Sequence, residues 1–539
     1  MVDLGTSWDT EESQKMITHQ NKHIIADGWV KRVALTPPVL SDNTADADRL
    51  VQGLKKGLGT DKVTIDLRLL KKLPFLLRQW NYCAGCVVLK DRGGWKVVGL
   101  FEWDQPEQPL GLAVDLGTSR VVVRLVSLVS GAVLGEHAFD NPQIAIGPDI
   151  LARVHFSEAA GGLEKLHRLI IDGLNQNIAS LSRSCGADPE SIYLVSLAGN
   201  TTMTHLFMGL DSRWIIREPY IPVTNRPGML RASDLGMAIN PCGRIYLHPN
   251  IGSYFGGDLM AGILYSGMHT REETAILVDV GTNAEVVLGN KNWLIACAGA
   301  AGPALEGGVT RMGMMAGPGV IDKVVIHPRE DVFDLHTMGD AKPKGICGSG
   351  LIDLAAQLFL SGMLDIRGKF NPKACGARLI NTDGIPNLVI VPADQSATGQ
   401  DLFVSQADID SLIRSKAAMY TILETITASV GMLPGDLSTF FVAGTFGSFI
   451  DPASAISIGM LPDLPIEAFK VLGNSSLEGA AQLLTRPTNL DEIDTIRDKI
   501  TYLELNVNQE FMNRFSAAKF LPHTDPSLFP SVILKTINK

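Results

Sequence analysis

The sequence predicts an α/β protein built from two similar halves, with a small α+β domain in front of them. Apolar, strand-like runs alternate with helical segments from Gly111 to the C-terminus, and this alternation is typical of an α/β core. A strand, a glycine turn and a second strand around Asp115, "GLAVDLGTSRVVVRLV", recur around Asp279 as "TAILVDVGTNAEVVLG". The repeat indicates two half-domains of similar structure that face one ligand.

Composition excludes several classes of protein. The 539 residues are 45% hydrophobic and 19% charged, which indicates a packed globular chain rather than a disordered one. A net charge of −10 argues against nonspecific nucleic-acid binding, which needs a basic surface. The acidic N-terminus "MVDLGTSWDTEESQKM" has no apolar segment of the kind found in signal peptides, and charges or glycines interrupt every apolar stretch. We therefore expect a soluble, cytoplasmic protein.

The chain divides into four predicted parts. Residues 1–27 form a polar tail, and residues 28–105 form the small α+β domain. In this domain we expect a helix capped by Asp42 or Asn43, and a hairpin that turns at residues 91–94. The linker "DQPEQPL" leads to the first half, 110–270, and the second half is 271–539. Long helices are predicted in "GLEKLHRLIIDGLNQNIASLSRSCG" and "DIDSLIRSKAAMYTILETITASVGM".

The two repeated turns suit phosphate binding. Glycine at the bend exposes consecutive backbone N–H groups, which bind phosphate oxygens, and an aspartate at the strand end can hold Mg²⁺ through its waters. One such turn is an ordinary hairpin, but two copies indicate a shared function. The predicted phosphate-binding residues are Gly117, Thr118 and Ser119 after Asp115, and Gly281, Thr282 and Asn283 after Asp279.

A third glycine turn follows the buried strand in "FFVAGTFGSFI". Glycines there let the backbone approach a bulky ligand. With the two phosphate turns, this element resembles the actin-like ATPase superfamily, which includes sugar kinases, acetate kinases and heat-shock chaperone ATPases. The resemblance implies two lobes of duplicated ribonuclease-H-like halves that close over Mg-ATP. It makes 110–270 the first ATPase lobe and 271–539 the second, with a C-terminal segment returning to the first. The adenosine turn would comprise Gly444, Thr445, Phe446 and Gly447.

Longer motifs narrow the resemblance to one family, the ATP-dependent reductive activators of corrinoid proteins. The motifs are "LAGNTTMTHLFMGL", "AGAAGPALEGG", "GICGSGLIDL", "AGTFGSFIDPASAISIGMLPDLP", "GNSSLEGA" and "LPHTDPSLFPSV", and the similarity covers residues 28–539. The family implies an ATPase that binds an inactive Co(II) corrinoid (cobalamin-binding) methyltransfer protein and promotes its reduction to Co(I). It also suggests a homodimer. Gly348 and Gly350, in the third motif, would contact the nucleotide.

The sequence departs from the family in its electron carrier. Typical members carry a ferredoxin-like domain with an iron–sulfur cluster, and no run of this chain supplies the four thiolates that a cluster needs. Among the seven cysteines, only Cys83 and Cys86 lie close together, and one CxxC is two ligands short of a cluster or a structural zinc. We therefore expect no iron–sulfur cluster in this chain and electrons from a separate ferredoxin-like donor. A redox dithiol is the alternative role for Cys83 and Cys86, against two ordinary strand residues.

Two polar positions in the first half suit either a ligand or a helix cap. Asn200 and Thr201 follow a buried strand, where the family pattern implies that they line the cleft and where Asn and Thr also favour helix N-caps. Asp258, after two glycines, could orient the attacking water, as other acids of the superfamily do, or cap a helix.

The second half contains three further candidates. Glu306 is a lone acid in the apolar stretch "GPALEGG", so it needs a partner such as a metal-bound water or a nucleotide hydroxyl. Arg414 and Lys416 precede the adenosine turn, and related ATPases stack such side chains on adenine. A solvated helix face is the alternative for both, and it is the one we favour.

Two other functions stay open at this point. The protein could be a nucleotide-gated factor that binds or remodels a corrinoid protein without a redox role; tight ATP-dependent binding without stimulated reduction would favour it. It could also be a small-molecule kinase, with Asp258 as its base. Transfer of phosphate to a small molecule instead of water would identify the kinase.

Overall fold

The structure, a computed structural model, describes residues 28–91, 93–102, 109–281, 283–300, 310–327, 332–444, 450–505 and 509–537. By their contacts these residues form two compact units. The first unit contains the chain up to Tyr265 together with Ser476–Asp498. The second contains Ser266–Ser475 and Lys499 to the C-terminus. The predicted polar tail, 1–27, lies outside the described residues.

The first unit begins with a small α+β domain, as predicted. Its strands pair in the order β1-β3-β4-β2, and its core includes Leu50, Leu54 and Leu77. The strands are β1 (Val30–Ala34), β2 (Val63–Ile65), β3 (Cys83–Asp91) and β4 (Gly94–Glu102), and the helices are Asp46–Leu58, Leu67–Leu70 and Leu73–Gln79. Strands β3 and β4 pair from Asp91 opposite Gly94, which confirms the predicted hairpin.

The predicted cap of the first helix was wrong. The helix begins after Ala45, whose side chain cannot accept a hydrogen bond. Asp42 lies three residues earlier, where its carboxylate accepts from the Thr44 amide and forms a 2.6 Å ion pair with Arg49. The Asp42 carboxylate is therefore bonded to Thr44 and Arg49, and it does not cap the helix.

A six-stranded sheet forms the main part of the first unit. Its order is β7-β6-β5-β8-β10-β9, in which β5, β6 and β7 are antiparallel neighbours and β8 runs parallel to β5. The strands are β5 (Leu110–Leu116), β6 (Arg120–Ser127), β7 (Val133–Asp140), β8 (Ile192–Gly199), β9 (Gly228–Arg231) and β10 (Arg244–Leu247). The helices are Ile150–Ser157, Gly162–Ser184, Thr201–Met208 and Gly257–Ser266.

The long helix Gly162–Ser184 forms where the sequence predicted it. Its apolar positions recur every three or four residues, and this spacing places them on one face that packs into the core of the first unit. The buried side chains of this face are Leu166, Ile170, Leu174, Ile178 and Leu181.

The second unit contains a second six-stranded sheet, in the order β21-β20-β11-β12-β13-β22, and two three-stranded sheets, β15-β14-β16 and β17-β18-β19. Its strands are β11 (Ala275–Val280), β12 (Asn283–Gly289), β13 (Leu294–Ala300), β14 (Val320–His327), β15 (Val332–Thr337), β16 (Gly345–Ile346), β17 (Leu379–Thr382), β18 (Ile385–Val391), β19 (Leu402–Ser405), β20 (Thr439–Ala443), β21 (Phe469–Gly473) and β22 (Ile500–Tyr502).

The second unit also contains several helices. The helix Gln406–Ala428, also predicted, begins with a capping box in which Ser405 and Asp408 exchange hydrogen bonds. The other helices of the second unit are Gly348–Leu360, Pro372–Cys375, Pro452–Ser457, Gln509–Ala518 and Pro530–Ile537. The helices Ser475–Thr485 and Asn489–Lys499 carry the late segment that belongs to the first unit.

The two large sheets share one topology over five of their six strands. In each, three consecutive strands are antiparallel neighbours, a fourth strand lies parallel to the first of them, and a fifth lies parallel to that fourth strand. The remaining strands differ, since β9 pairs antiparallel with β10 whereas β22 pairs parallel with β13. Thus β5, β8 and β10 correspond to β11, β20 and β21. The repeat read from two short sequence segments is therefore a repeat of five-stranded units, and the predicted duplicated fold is confirmed.

Across the residues that the structure describes, no helix combines the length and the apolar character that crossing a membrane would require.

Candidate functional site

In the first unit, β5 carries Asp115 close to its end. The residue lies opposite Val122 on β6 and Ala198 on β8, and its side chain is half-buried. Its Oδ1 atom accepts a 2.9 Å hydrogen bond from the hydroxyl of Ser476. Sequence reasoning missed Ser476, although it lies in the motif "GNSSLEGA". A serine 361 positions away gives no local signal of this contact.

The turn after Asp115 is tight, and its carbonyl groups are bonded. A Cβ atom on Gly117 would lie 2.4 Å from the Arg120 carbonyl oxygen, so only glycine fits there. Asn141, almost fully buried, donates from Nδ2 to the Gly117 carbonyl at 2.9 Å and from its amide to the Ser119 carbonyl at 2.8 Å. Asn141 was also missed; its only signal is an Asn-Pro step after a strand.

Asn200 has one of the two roles that the sequence left open, the helix cap, and its place in a ligand cleft stays a prediction. Its Oδ1 atom accepts from the Met203 amide and caps the helix Thr201–Met208. Its Nδ2 atom donates to the Thr118 hydroxyl at 3.1 Å and so contacts the predicted phosphate turn. Thr201 is buried, and its hydroxyl donates to the Gly252 carbonyl. That hydroxyl supports a neighbouring loop of the first unit.

Asp258 lies close to Asn200, at the start of the helix Gly257–Ser266. A Cβ atom on Gly256 would lie 2.5 Å from both the Asp258 Oδ1 atom and the Asn200 Cα atom, so Gly256 permits their close approach. Burial raises the pKa of Asp258 to about 6, and the charge of Asp115 acts in the same direction. A carboxyl group with this pKa can exchange a proton near neutral pH.

In the second unit, Asp279 occupies the corresponding position near the end of β11. It lies opposite Glu285 on β12 and Ala443 on β20. Directly opposed residues of an antiparallel pair share one face of the sheet, and like charges there repel each other. The half-buried Asp279 and Glu285 are therefore a cross-strand carboxylate pair on one face of the sheet. Sequence reasoning missed Glu285.

Gly444 follows β20 and contacts Asp279. It has a positive φ of 84°, and a Cβ atom there would lie 2.6 Å from the Asp279 Oδ1 atom. The beginning of the predicted adenosine turn therefore lies against the aspartate of the second phosphate turn. Gly281 forms the bend after β11, and the backbone of Asn283 begins β12. The predicted residues Thr282, Glu306, Thr445, Phe446 and Gly447 lie outside the described residues.

The glycines of "GICGSGLIDL" begin the helix Gly348–Leu360. Gly348 and Gly350 are buried, and a Cβ atom on Gly350 would lie 2.4 Å from the Ile321 carbonyl oxygen. Close packing against β14 thus explains Gly350, and its contact with a nucleotide stays a prediction. The same helix carries Asp353, which accepts 2.5 Å hydrogen bonds from the Ser454 hydroxyl and the Val324 amide.

The predictions for Lys416 were wrong. The side chain lies neither beside a ligand nor on a solvated helix face; it is fully buried. Its ammonium group donates to the carbonyl groups of Phe520 and Pro522, at 2.5 and 2.7 Å, and so holds the C-terminal segment on the helix. Arg414, two residues earlier, is exposed, and its contact with adenine stays a prediction.

The CxxC cysteines are ordinary strand residues in their surroundings. Cys83 is half-buried and Cys86 is fully buried in β3, and both are free thiols. Burial raises the pKa of Cys86 to about 12, so its reactive thiolate form is disfavoured. Within the described parts of the chain, no group of three or more His, Cys, Asp or Glu side chains could hold a metal ion.

Five strands repeated in one order, each copy with an aspartate near the end of its first strand and a glycine directly after that strand, define an actin-like ATPase fold. Family models narrow this class. They match the RACo linker region at residues 24–106, the RACo middle region at 110–271, and the C-terminal domain of RACo, the ASKHA domain, at 273–533. The chain belongs to this family, the reductive activators of corrinoid proteins.

Individual relatives agree with the family. The corrinoid activation enzyme RamQ of Eubacterium limosum is 30% identical over 431 residues, which cover 78% of this chain and 72% of the relative. The [Co(II) methylated amine-specific corrinoid protein] reductase of Methanosarcina barkeri is 24% identical over 75% of each chain. The solved structure of a reductive activator for corrinoid, iron–sulfur protein is 38% identical, with a TM-score of 0.81 over 94% of this chain and 81% of that one.

Proposed function

We propose that this protein is an ATP-dependent activator of a corrinoid methyltransfer protein. It binds the inactive Co(II) form and promotes the one-electron reduction to Co(I). The proposal is supported by two relatives, one named for corrinoid activation and one for reduction of a Co(II) corrinoid protein. The observation that carries its ATP-dependent part is the second aspartate–glycine site, in which Gly444 packs directly against Asp279.

Each unit contains groups of the kind that bind Mg-ATP. In the first unit, the Gly117–Ser119 turn would bind phosphate oxygens through its backbone N–H groups. Asn141 donates hydrogen bonds to the carbonyl groups of Gly117 and Ser119 and so holds the turn in place. In the second, the pair of Asp279 and Glu285 has the oxygen ligands that Mg²⁺ prefers, and Mg²⁺ would supply charge neutralisation for phosphoryl transfer. Gly444 would admit the nucleoside close to Asp279.

Asp258 would orient and deprotonate the attacking water. Its pKa of about 6 leaves the carboxylate largely ionised at neutral pH, yet able to accept a proton. The carboxylate of Asp115, fixed by Ser476, acts on Asp258 by charge and so helps to set this pKa. The same position could serve as the base of a kinase, so the acceptor of the phosphate has to be measured.

ATP can drive activation only through differential affinity. The nucleotide-bound and nucleotide-free states must bind the Co(II) and Co(I) forms with different strengths, because a ligand without such a difference shifts no equilibrium. The electron would come from a separate iron–sulfur protein. The cysteines support this source, since Cys86 is buried and its thiolate is disfavoured. We further propose that the protein acts in the cytoplasm, and the family suggests a homodimer.

The test is reduction of a purified Co(II) corrinoid protein, followed by the absorbance of Co(I). The reaction contains Mg-ATP, a low-potential reductant and a separate ferredoxin, and each component is omitted in turn. We expect Co(I) only when this protein, ATP and the ferredoxin are all present. Controls without chemical mediators exclude direct reduction of the corrinoid by a mediator. Reduction without the ferredoxin would contradict the separate donor. ATP-dependent binding without reduction would favour the remodelling factor, and phosphate found on a small molecule would favour the kinase.

A further inference from the structure

A fully buried arginine lies behind the first phosphate turn. Arg153, in the helix Ile150–Ser157, has no exposed surface. Its Nη2 atom donates to the Thr118 carbonyl at 2.7 Å, and its Nε atom donates to the Gly147 carbonyl at 2.9 Å. Its Nη1 atom lies 3.3 Å from Gln143 Oε1 and 3.2 Å from Met203 Sδ. The guanidinium group is therefore held in a fixed orientation.

All four of these partners are neutral, so the charge of Arg153 is not compensated by contact. Among the described residues, no carboxylate forms an ion pair with it, and Asp149 acts only at longer range. Burial lowers the pKa of Arg153 to about 10, which still leaves the group charged at neutral pH. A buried charge without a counter-charge is costly. An anion on the other side of the turn would offset that cost.

The peptide between Thr118 and Ser119 connects Arg153 to that side. In a trans peptide, the carbonyl and the N–H group point in opposite directions. The bond from Arg153 polarises the Thr118 carbonyl and so strengthens the Ser119 N–H group as a donor. Asn141 acts in the same way on the Gly117 carbonyl. In the described part of the chain, the amides of Thr118 and Ser119 have no acceptor.

We propose that Arg153 is a positioning residue for the terminal phosphates of the nucleotide. It holds the turn with its amide groups outward and places an uncompensated positive charge one peptide behind the phosphate site. The inference rests on the proposed nucleotide binding and adds a residue that never touches the ligand. An ordinary structural arginine would affect the binding of all nucleotides equally, whereas the effect of Arg153 on affinity should depend on the number of phosphates in the nucleotide.

The test compares Arg153→Met and Arg153→Lys with a control arginine in the full-length chain. Arg244 is the control, because it is nearly buried in the same unit but forms a 3.1 Å ion pair with Asp66. Affinities for Mg-ATP and for AMP are measured by competitive displacement of a fluorescent nucleotide. We expect Arg153→Met to weaken Mg-ATP binding about tenfold or more and AMP binding less than about twofold. Arg153→Lys should retain part of the ATP affinity.

The ratio of ATP to AMP affinity decides the outcome. Arg244→Met should leave this ratio unchanged, even if the variant is less stable. Equal losses of ATP and AMP affinity in the Arg153 variants, or no loss, would overturn the inference while leaving the proposed function intact. If Arg153→Met does not fold, the ratio in Arg153→Lys decides in the same way. Failure of the unaltered chain to bind Mg-ATP would overturn the proposed function and this inference together.

Discussion

The two large sheets share the order of five strands, but the surroundings of their aspartates differ. Asp115 of the first unit lies opposite Val122, is bonded by Ser476 and acts electrostatically on Asp258. Asp279 of the second unit lies opposite Glu285, and Gly444 packs against it. The charge of the first aspartate adds to the burial that raises the pKa of a neighbouring acid, whereas the second aspartate belongs to a carboxylate pair.

In this protein, the duplicated fold preserves the position of the aspartate more strictly than its chemical surroundings. Strand order and turn geometry fix where the aspartate lies, whereas the residue across the strand and the segments that pack on the turn decide which charged and polar groups surround it. We infer that the first unit specialises in proton transfer and the second in holding the cation. Substitution of each group in turn tests this division of roles.

The largest effect is expected for Asp258→Asn. If Asp258 orients and deprotonates water, the substitution should lower the rate of ATP hydrolysis by about 10²–10⁴-fold. The kcat/KM of the unaltered protein should rise with pH through the pKa of about 6, and the variant should lose this dependence. A pH–rate series on both proteins measures this. A variant that keeps more than about a tenth of the activity would remove Asp258 from the mechanism.

The same substitution should stabilise the protein at neutral pH. The folded state raises the pKa of Asp258 from 3.8 to about 6, so it binds the proton more tightly than the unfolded chain does. Stability of the unaltered protein therefore falls as pH rises between these values, by at most about 3 kcal/mol. Asp258→Asn should unfold at a higher temperature than the unaltered protein at pH 7.5, and the gain should vanish near pH 4. Calorimetry without nucleotide measures both.

The next largest effect separates the two aspartates. Asp279→Asn should raise the Mg²⁺ concentration for half-maximal ATP hydrolysis by more than about tenfold, because it removes one member of the carboxylate pair. Asp115→Asn should lower the rate with a smaller change in Mg²⁺ requirement. Glu285→Gln removes the other member of the pair, so it should also raise the Mg²⁺ concentration for half-maximal hydrolysis. Equal Mg²⁺ shifts for Asp115→Asn and Asp279→Asn would contradict the division of roles.

A moderate effect is expected for Ser476→Ala. It removes the 2.9 Å hydrogen bond to Asp115, and bonds to charged groups contribute about 1.5–3 kcal/mol. We expect hydrolysis to slow about three- to tenfold, because Asp115 would no longer be fixed. Ser475→Ala is the matched control: Ser475 is also buried, and its hydroxyl has no partner among the described residues. Similar losses in both variants would indicate a general packing effect.

The smallest effect is expected for the cysteines. Cys83→Ala and Cys86→Ala should leave ATP hydrolysis and corrinoid reduction unchanged within about twofold, since burial disfavours the Cys86 thiolate. Reduction assays with the separate ferredoxin check this. If either variant loses reduction but keeps hydrolysis, the two thiols carry electrons, and the separate donor is not the last carrier.

Much of the fold follows from local sequence. Asp115 and Asp279 were predicted at strand ends because each apolar run, its glycine turn and the next run are contiguous. Ser476, Asn141 and Arg153 could not be predicted, since their roles depend on segments that meet only in the folded chain. They are also common residue types in unremarkable surroundings.

Lys416 shows that a local pattern can also give a wrong prediction. A lysine in a helix suggests a solvated face, and only the C-terminal segment that covers it makes it a buried residue. Local periodicity contains no information about a segment that arrives 104 residues later.

The most direct test of the central claim is the rate of Mg-ATP hydrolysis with and without a Co(II) corrinoid protein. Two probes match the named relatives: a corrinoid iron–sulfur protein and a methylamine-specific corrinoid protein, each prepared as Co(II) and as Co(I). We expect at least one Co(II) form to stimulate hydrolysis, its Co(I) form to do so much less, and Asp279→Ala to abolish the stimulation. Hydrolysis that is the same with every probe, or that Asp279→Ala retains, would contradict ATP-driven activation by this protein.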